Sequence, residues 1–431
     1  MFWEKEGKLI YSYDGETVCI EAWGKDALRV RATKNRSFTG RDWALEAKDA
    51  HAGEVEIFED PSAKGGAFAN MYEGTDTSYG KITNGKLHAV IDSGSVITFY
   101  HEDGRVLLKE HFRRLRDEES MPLNIMGREY SNGVGDNFRI VTRFVARKGE
   151  KIFGMGQYQQ HELDLKGCML ELAQRNSQVS VPFYLSSIGY GFLWNNPGVG
   201  QVMFANNGTE WVTESGKEID YLVIAGDTPA EIEENYMTLT GKPPMMPEYG
   251  MGFWQCKLRY WNQEQLLSVA RKYKELGIPL DVIIVDFFHW TKQGEFKFDP
   301  KYWPDVPGMC RELKEMGIQV VVSVWPTVDI YSENFEEMKE KGYLVRTEHG
   351  VPLTMLCGGN EVFFDATNPD ARTYVWEKIK KNYYDQGAKL FWLDVAEPEY
   401  SVYDFKNYRY QLGSVQEVGN IYPKYYLKAF Y

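Results

Sequence analysis

Four short apolar runs recur between residues 250 and 394: Gly250–Gln255, Asp281–Asp286, Ile318–Trp325 and Lys389–Asp394. The stretches between them carry apolar residues at helical spacing. Asn262 stands where it caps a helix with Leu266, Val269, Ala270, Tyr273 and Leu276 on one face, stopped by Gly277. Further helices are predicted around Pro307–Met316 and from about Ser332 to Gly342. The last starts at Asn368 and Pro369, lines a face with Val375, Trp376, Ile379 and Tyr383, and ends at Gly387. Apolar strands alternating with helices predict parallel βα units. Two architectures accept four such units: part of a (β/α)8 TIM barrel, or an open doubly wound sheet. No glycine-rich phosphate loop follows any run, which argues against a nucleotide fold. Trp254, Gln255, Asp286, Trp325 and Asp394 sit at the run ends, the barrel pattern. A barrel takes about 250 residues, and only about 180 follow Gly250. The expectation is therefore an α/β barrel, incomplete in this chain, with about four βα units.

The first half reads differently. Alternation in Leu28–Ala32, Leu87–Ile91 and Phe138–Val145, punctuated at Asp14-Gly15, Asn84-Gly85, Asp92-Ser-Gly94 and Asp103-Gly104, predicts an antiparallel β-sandwich. The glycines of Gly154-Met-Gly-Gln-Tyr-Gln-Gln160 fit either a tight bend within that domain or a loop reaching a neighbouring site. Gly189–Asn196 is a further strand that ends in two amides. Thr228, Pro229 and Glu231 form a capping box for a helix running to about Thr240. Gly241-Lys-Pro-Pro-Met-Met-Pro247 then breaks it. The predicted domains are 1–240, a β-sandwich with a linker helix, and 241–431, the first half of the barrel.

Charge excludes several partners. A net charge of −13 with no offsetting basic cluster repels phosphate backbones and anionic lipid, so neither nucleic acid nor a membrane surface is expected. No apolar run reaches the roughly 18 residues of a membrane span. Met1–Gly7 lacks the basic-then-apolar order of a signal peptide. Five scattered cysteines, Cys19, Cys168, Cys256, Cys310 and Cys357, include no CxxC pair. Neither a zinc site nor a disulfide framework is indicated, and a reducing cytoplasm fits. No cofactor and no metal are expected.

Asp286 and Asp394 end two strands, with Trp254, Trp290, Trp325 and Trp392 at or near the same ends. Rings cover the apolar face of a sugar while carboxylates take its hydroxyls. Retaining glycoside hydrolysis needs two carboxyl groups about 5 Å apart, one the nucleophile and one the acid/base. Each residue also has a plainer explanation. A strand-end aspartate caps the next helix, Glu397 and Glu399 are solvated or paired with basic neighbours, and single tryptophans belong to cores. His161 and His289 stand alone, and no GxSxG or Cys/His pairing occurs.

The order and spacing of several stretches resemble glycoside hydrolase family 31, the α-glucosidases and α-xylosidases. These are Gly252-Phe-Trp-Gln-Cys-Lys-Leu-Arg-Tyr260, Gly277-Ile-Pro-Leu-Asp-Val-Ile-Ile-Val-Asp286, Phe296-Lys-Phe-Asp-Pro300 and Trp303-Pro-Asp305. Ser323-Val-Trp-Pro326, Phe364-Asp-Ala-Thr-Asn-Pro369 and Trp392-Leu-Asp-Val-Ala-Glu-Pro398 continue the series. Gly154-Met-Gly-Gln157 and Gly241-Lys-Pro-Pro244 resemble the family's N-terminal part. The resemblance implies that Asp394 is the nucleophile of a retaining α-glycosidase and that Asp286 bonds sugar hydroxyls. It implies that Trp325, Trp392 and Trp254 line the subsite, that Trp290 and Gly154–Gln160 shape its rim, and that Glu397 supports the nucleophile loop. The loops Trp254-Gln255…Arg259-Tyr260 and Asp286-Phe-Phe-His-Trp290 look more like the xylosidase members. The family's acid/base aspartate, with an arginine and a histidine, comes later than the fourth βα unit and is expected beyond Tyr431. The expected partner is an oligosaccharide or small α-glycoside, with a homo-oligomer possible for a full-length form. Transglycosylation by the same nucleophile is a close variant. A carbohydrate-binding remnant without turnover, or a fragment that aggregates, is the rival.

Overall fold

The computed structural model describes residues 1–46, 49–61, 77–115, 123–350, 352–355, 359–400 and 405–431, so Cys357 lies outside the described residues. The chain divides into two compact units, 1–173 with 177–243, and 174–176 with 244–431.

The first unit is rich in antiparallel sheet. A nine-stranded sheet runs in the order Phe2–Lys5, Lys8–Tyr13, Glu16–Trp23, Ala27–Thr33, Ile219–Ala225, Tyr190–Trp194, Val179–Ser186, Ile152–Gln157, with Ala50–His51 paired to Glu16–Trp23. Two five-stranded sheets accompany it, one centred on Leu87–Asp92 and one on Gly208–Gly216. Alternate residues of these sheets meet in one core that includes Ile20, Val30, Ile91, Phe99, Phe144 and Phe192. Trp211 stacks against Trp194 and Phe192 in that core, with ring centroids 5.5 and 5.1 Å away. Asp14 and Gly15 both take positive φ and close a two-residue hairpin.

The glycines of the 154–160 stretch find their reason within this unit. Ile152–Gln157 pairs with Val179–Ser186, and the register slips between Gly154 and Gly156. Both glycines have positive φ. A Cβ on Gly156 would lie 2.1 Å from the Val179 carbonyl oxygen, and one on Gly154 2.8 Å from that of Phe183. A bulged strand pair in close approach accounts for them.

Helix Pro229–Thr240 starts as the capping pattern predicts, with the Thr228 hydroxyl accepting from the Glu231 amide at 3.2 Å. The reciprocal bond differs from the expected box: the Glu231 carboxylate takes the Asp227 amide, at 2.9 Å, one residue earlier than the capping residue.

In the second unit a parallel sheet runs Trp254–Gln255, Val282–Val285, Gln319–Val324, Leu390–Leu393, each strand beside its predecessor in sequence. A doubly wound sheet reverses its strand order at a switch point. This unbroken order is that of a barrel wall. Helices Gln263–Glu275, Val306–Glu315 and Pro369–Ile379 connect the strands, capped by the side chains of Asn262, Asp305 and Asn368. Val282, Ile284 and Val321 form a core cluster on one face of the sheet, with Tyr249 and Leu390 packed against it.

Three expectations change here. The first strand is only Trp254–Gln255, because Glu248–Met251 winds into a 3-10 turn and the Phe253 amide is drawn to the Asp281 carboxylate at 3.0 Å. The face of helix Gln263–Glu275 shifts: Leu267 is buried, whereas Leu276, past the last helical residue, is 57% exposed. The helix expected from Ser332 starts at Phe335, since the Ser332 amide and the Asn334 side chain bond the carbonyls of Asp329 and Gly294.

Candidate active site

Strand register decides which side chains share a face. Ile284 stands opposite Val321, and Val321 opposite Leu390. Side chains alternate along a strand, so continuing two residues places Asp286, Ser323 and Trp392 on that face. Two more place Trp325 and Asp394 there. On the first strand Trp254 pairs with Val282, so Cys256 joins the same face.

Contacts agree with this placement. The Trp325 indole N–H donates to Asp394 Oδ2 at 3.0 Å, and the Asp394 amide bonds the Val324 carbonyl oxygen at 3.1 Å. Asp394 is thus tied to the third strand through both backbone and side chain. Asp286 Oδ1 accepts the Phe287 amide at 2.8 Å, and Oδ2 lies 3.5 Å from the Cys256 sulfur. The Asp286 carboxyl is pushed above the usual carboxylate range, first by burial and further by the negative charge of Asp394. Asp286 therefore senses the Asp394 charge across the strand ends.

The tryptophans fall into different roles. Trp325 is buried, and its ring meets Phe287 at 5.2 Å and Trp290 at 5.9 Å. Its main contribution is the indole N–H on Asp394. Trp392, on the face that also carries Asp394, is 43% exposed. Half-buried Trp290 packs edge-on to Trp325 and to His289. Trp254 is 42% exposed, and its indole N–H turns back to the Gly250 carbonyl at 3.3 Å rather than toward the carboxylates.

Beyond Asp394 the chain turns sharply. Val395 takes positive φ, and the Glu397-Pro398 bond is cis. Glu397 Oε2 is buried with no hydrogen-bond partner among the described residues. Burial, then Glu399 and Asp394, raise its carboxyl above the ordinary range. Glu397 thus lies within electrostatic reach of Asp394.

Two contributors carried no sequence signal of their own. Cys256 was visible only as part of a longer matching stretch. His289, an isolated histidine in the sequence, is buried between the site and the helix layer. The Asp286 carbonyl can only accept, so Nδ1 carries the proton toward it at 2.9 Å and Nε2 accepts from the Tyr383 hydroxyl at 2.9 Å. Both bonds suit neutral imidazole, and burial pushes its pKa down to about 4. Unfolding lets His289 take a proton that the folded state refuses, so stability is lost as pH falls from about 6.5 toward 4. The loss should be on the order of 3 kcal/mol across that window. His289→Gln should flatten this part of the stability curve, read by denaturant unfolding at stepped pH.

The sequence and the fold are shared with known proteins. The domain described as "Glycosyl hydrolases family 31 TIM-barrel domain" matches residues 243–431. A family 31 glucosidase of Pseudescherichia vulneris, itself uncharacterised, is 45% identical over 99% of this chain and 80% of its own length. The chain belongs to glycoside hydrolase family 31. Alpha-xylosidase A of Aspergillus niger is 30% identical over 95% of this chain and 58% of its own length. The crystal structure of a family 31 α-xylosidase from a soil metagenome, complexed with xylose, superposes with a TM-score of 0.92 at 50% identity. That match covers all of this chain and 62% of the crystallised one. The chain thus spans less than two thirds of the length of these two α-xylosidases.

Proposed function

We propose that this chain carries the nucleophile and part of the sugar-binding subsite of a retaining α-glycosidase acting on α-xylosides or α-glucosides. The observation that carries the reading is the Trp325–Asp394 bond beside Asp286 at the ends of parallel strands. With Oδ2 held by the indole, Oδ1 is the oxygen left to attack the anomeric carbon. Attack from the face opposite the leaving group breaks the glycosidic bond as a general acid protonates the departing oxygen, and forms a β-linked glycosyl ester on Asp394. Water then hydrolyses the ester and returns the α-configured sugar.

Asp286 is better suited to binding than to proton donation. Burial and Asp394 favour its protonated form, which is the property of an acid. Both its oxygens, however, already accept hydrogen bonds, from the Phe287 amide and the Cys256 thiol. Donors on both oxygens favour the ionised carboxylate, the form that takes sugar hydroxyls. The α-xylosidase relatives support xylosides as the first substrates to try.

Trapping the intermediate tests this reading. A 5-fluoro-α-xylosyl fluoride has a good leaving group and a slow second step, so an active preparation carrying this sequence should gain one glycosyl unit at Asp394, located by fragmentation of the labelled peptide. Labelling at Asp286 or at Glu397 instead would overturn the assignment.

A further inference from the structure

The residue just past the first parallel strand has a geometric role at Asp286 beyond its effect on charge. Cys256 directs its sulfur to Asp286 Oδ2 at 3.5 Å, with the Lys257 carbonyl oxygen at 3.7 Å. The register explains why these two meet. Trp254 pairs with Val282 and Gln255 with Ile283, so the residue after Gln255 comes level with Ile284, one alternation before Asp286. The thiol therefore meets the carboxylate diagonally across a strand pair, on the face that also carries Asp394.

We propose that Cys256 is a positioning residue for Asp286: its S–H holds Oδ2 while the Phe287 amide holds Oδ1, fixing the plane in which the carboxylate meets a sugar hydroxyl. The inference rests on the reading of Asp286 as a sugar ligand and deepens it. Two anchors on different oxygens stop rotation of the carboxylate about its Cβ–Cγ bond, which one anchor alone would permit. The thiol must keep its proton to donate. Cys256 is exposed, and partial desolvation together with the neighbouring Asp286 charge pushes its pKa up to about 11. Among the described residues, the titratable side chains facing the Asp286 carboxylate are Cys256, just past the first strand, and Asp394, just past the fourth, whereas His289 reaches only its carbonyl oxygen. Asp394 and burial favour a protonated Asp286, and the thiol opposes them.

Two experiments on the chain as it stands test this. Xylose titration, followed by tryptophan fluorescence from pH 4 to 8, compares wild type with Cys256→Ala and Cys256→Ser. Cys256→Ala should weaken binding by about fivefold at neutral pH, the net worth of one ordinary hydrogen bond. Its acid-side loss of binding should also move to higher pH. Cys256→Ser, which retains a donor, should restore both affinity and profile. Equal affinity and an equal pH profile in wild type and Cys256→Ala overturn the inference alone. A wild-type chain that binds neither xylose nor glucose overturns the sugar-site reading and the inference with it. The second experiment reads the contact without any sugar, by peptide-resolved iodoacetamide labelling at pH 8. Asp286→Asn removes the charge that raises the thiol pKa, so Cys256 should label several-fold faster than in wild type. An unchanged labelling rate shows that the thiol and carboxylate are not in contact and overturns the proposal.

Discussion

Asp394→Ala should lower turnover of aryl α-xyloside or α-glucoside by at least about 10⁴-fold, in any active preparation carrying this sequence, with the fold unchanged. A factor of that size corresponds to about 5.5 kcal/mol of transition-state stabilisation, more than any single binding contact supplies. The substitution removes the attacking oxygen and leaves a small gap on the β face of the sugar. Added azide fits such a gap, and the stereochemistry of its product identifies the role of the missing carboxylate. Rescue as the β-glycosyl azide marks Asp394 as the nucleophile, because azide then attacks the face that Asp394 vacated. Rescue as the α-azide would mean that the glycosyl ester still forms elsewhere, making Asp394 the acid/base. Turnover within tenfold of wild type would remove Asp394 from the chemistry altogether. The half-buried carboxylate is held by one indole, so its loss should leave the circular dichroism and the unfolding midpoint near those of wild type.

The parts of this site that sequence reveals are those written in local pattern. Val282–Val285 and Gln319–Val324 are apolar runs, and the residues that end them, Asp286 and Trp325, stand out because polarity changes abruptly there. Helix starts at Asn262, Asp305 and Asn368 were legible or nearly so because a cap acts over three residues. What sequence did not reveal depends on register between distant strands. The Cys256–Asp286 contact spans 30 residues and the Trp325–Asp394 bond 69. Sequence placed Trp325 in the subsite as a ring, yet only coordinates make it a hydrogen-bond donor to Asp394. His289 stands alone in the sequence, and its actual partners, a carbonyl and a tyrosine 94 residues away, are also set by packing. The two-residue first strand reads as longer in the sequence because Gly250-Met-Gly-Phe is apolar, while a 3-10 turn runs through Met251 and the strand starts only at Trp254.

The largest effect on stability is expected at Arg29, in the first unit. Its guanidinium is fully buried and donates to both oxygens of Asp220, at 2.9 and 2.6 Å. It also reaches the Asp42 carboxylate at 2.7 Å and the Arg41 carbonyl at 3.0 Å, with the Trp23 ring beneath it at 4.6 Å. Asp220 is equally buried, and apart from Arg29 it has the Asn195 amide at 2.8 Å. Arg29→Met fills much of the volume yet leaves Asp220 charged in the interior with that single side-chain donor. Removing one partner of a buried pair costs about 3–5 kcal/mol, a large fraction of the about 5–15 kcal/mol that holds a domain together. The unfolding midpoint in urea should fall accordingly. If the cost is the stranded charge rather than lost packing, the double substitution Arg29→Met with Asp220→Leu should recover a substantial part of it. Charge removal then outweighs the second lost hydrogen-bond set, and the two effects should be clearly non-additive. Additive losses in the double variant would place the energy in packing around Trp23 and Asp42 instead.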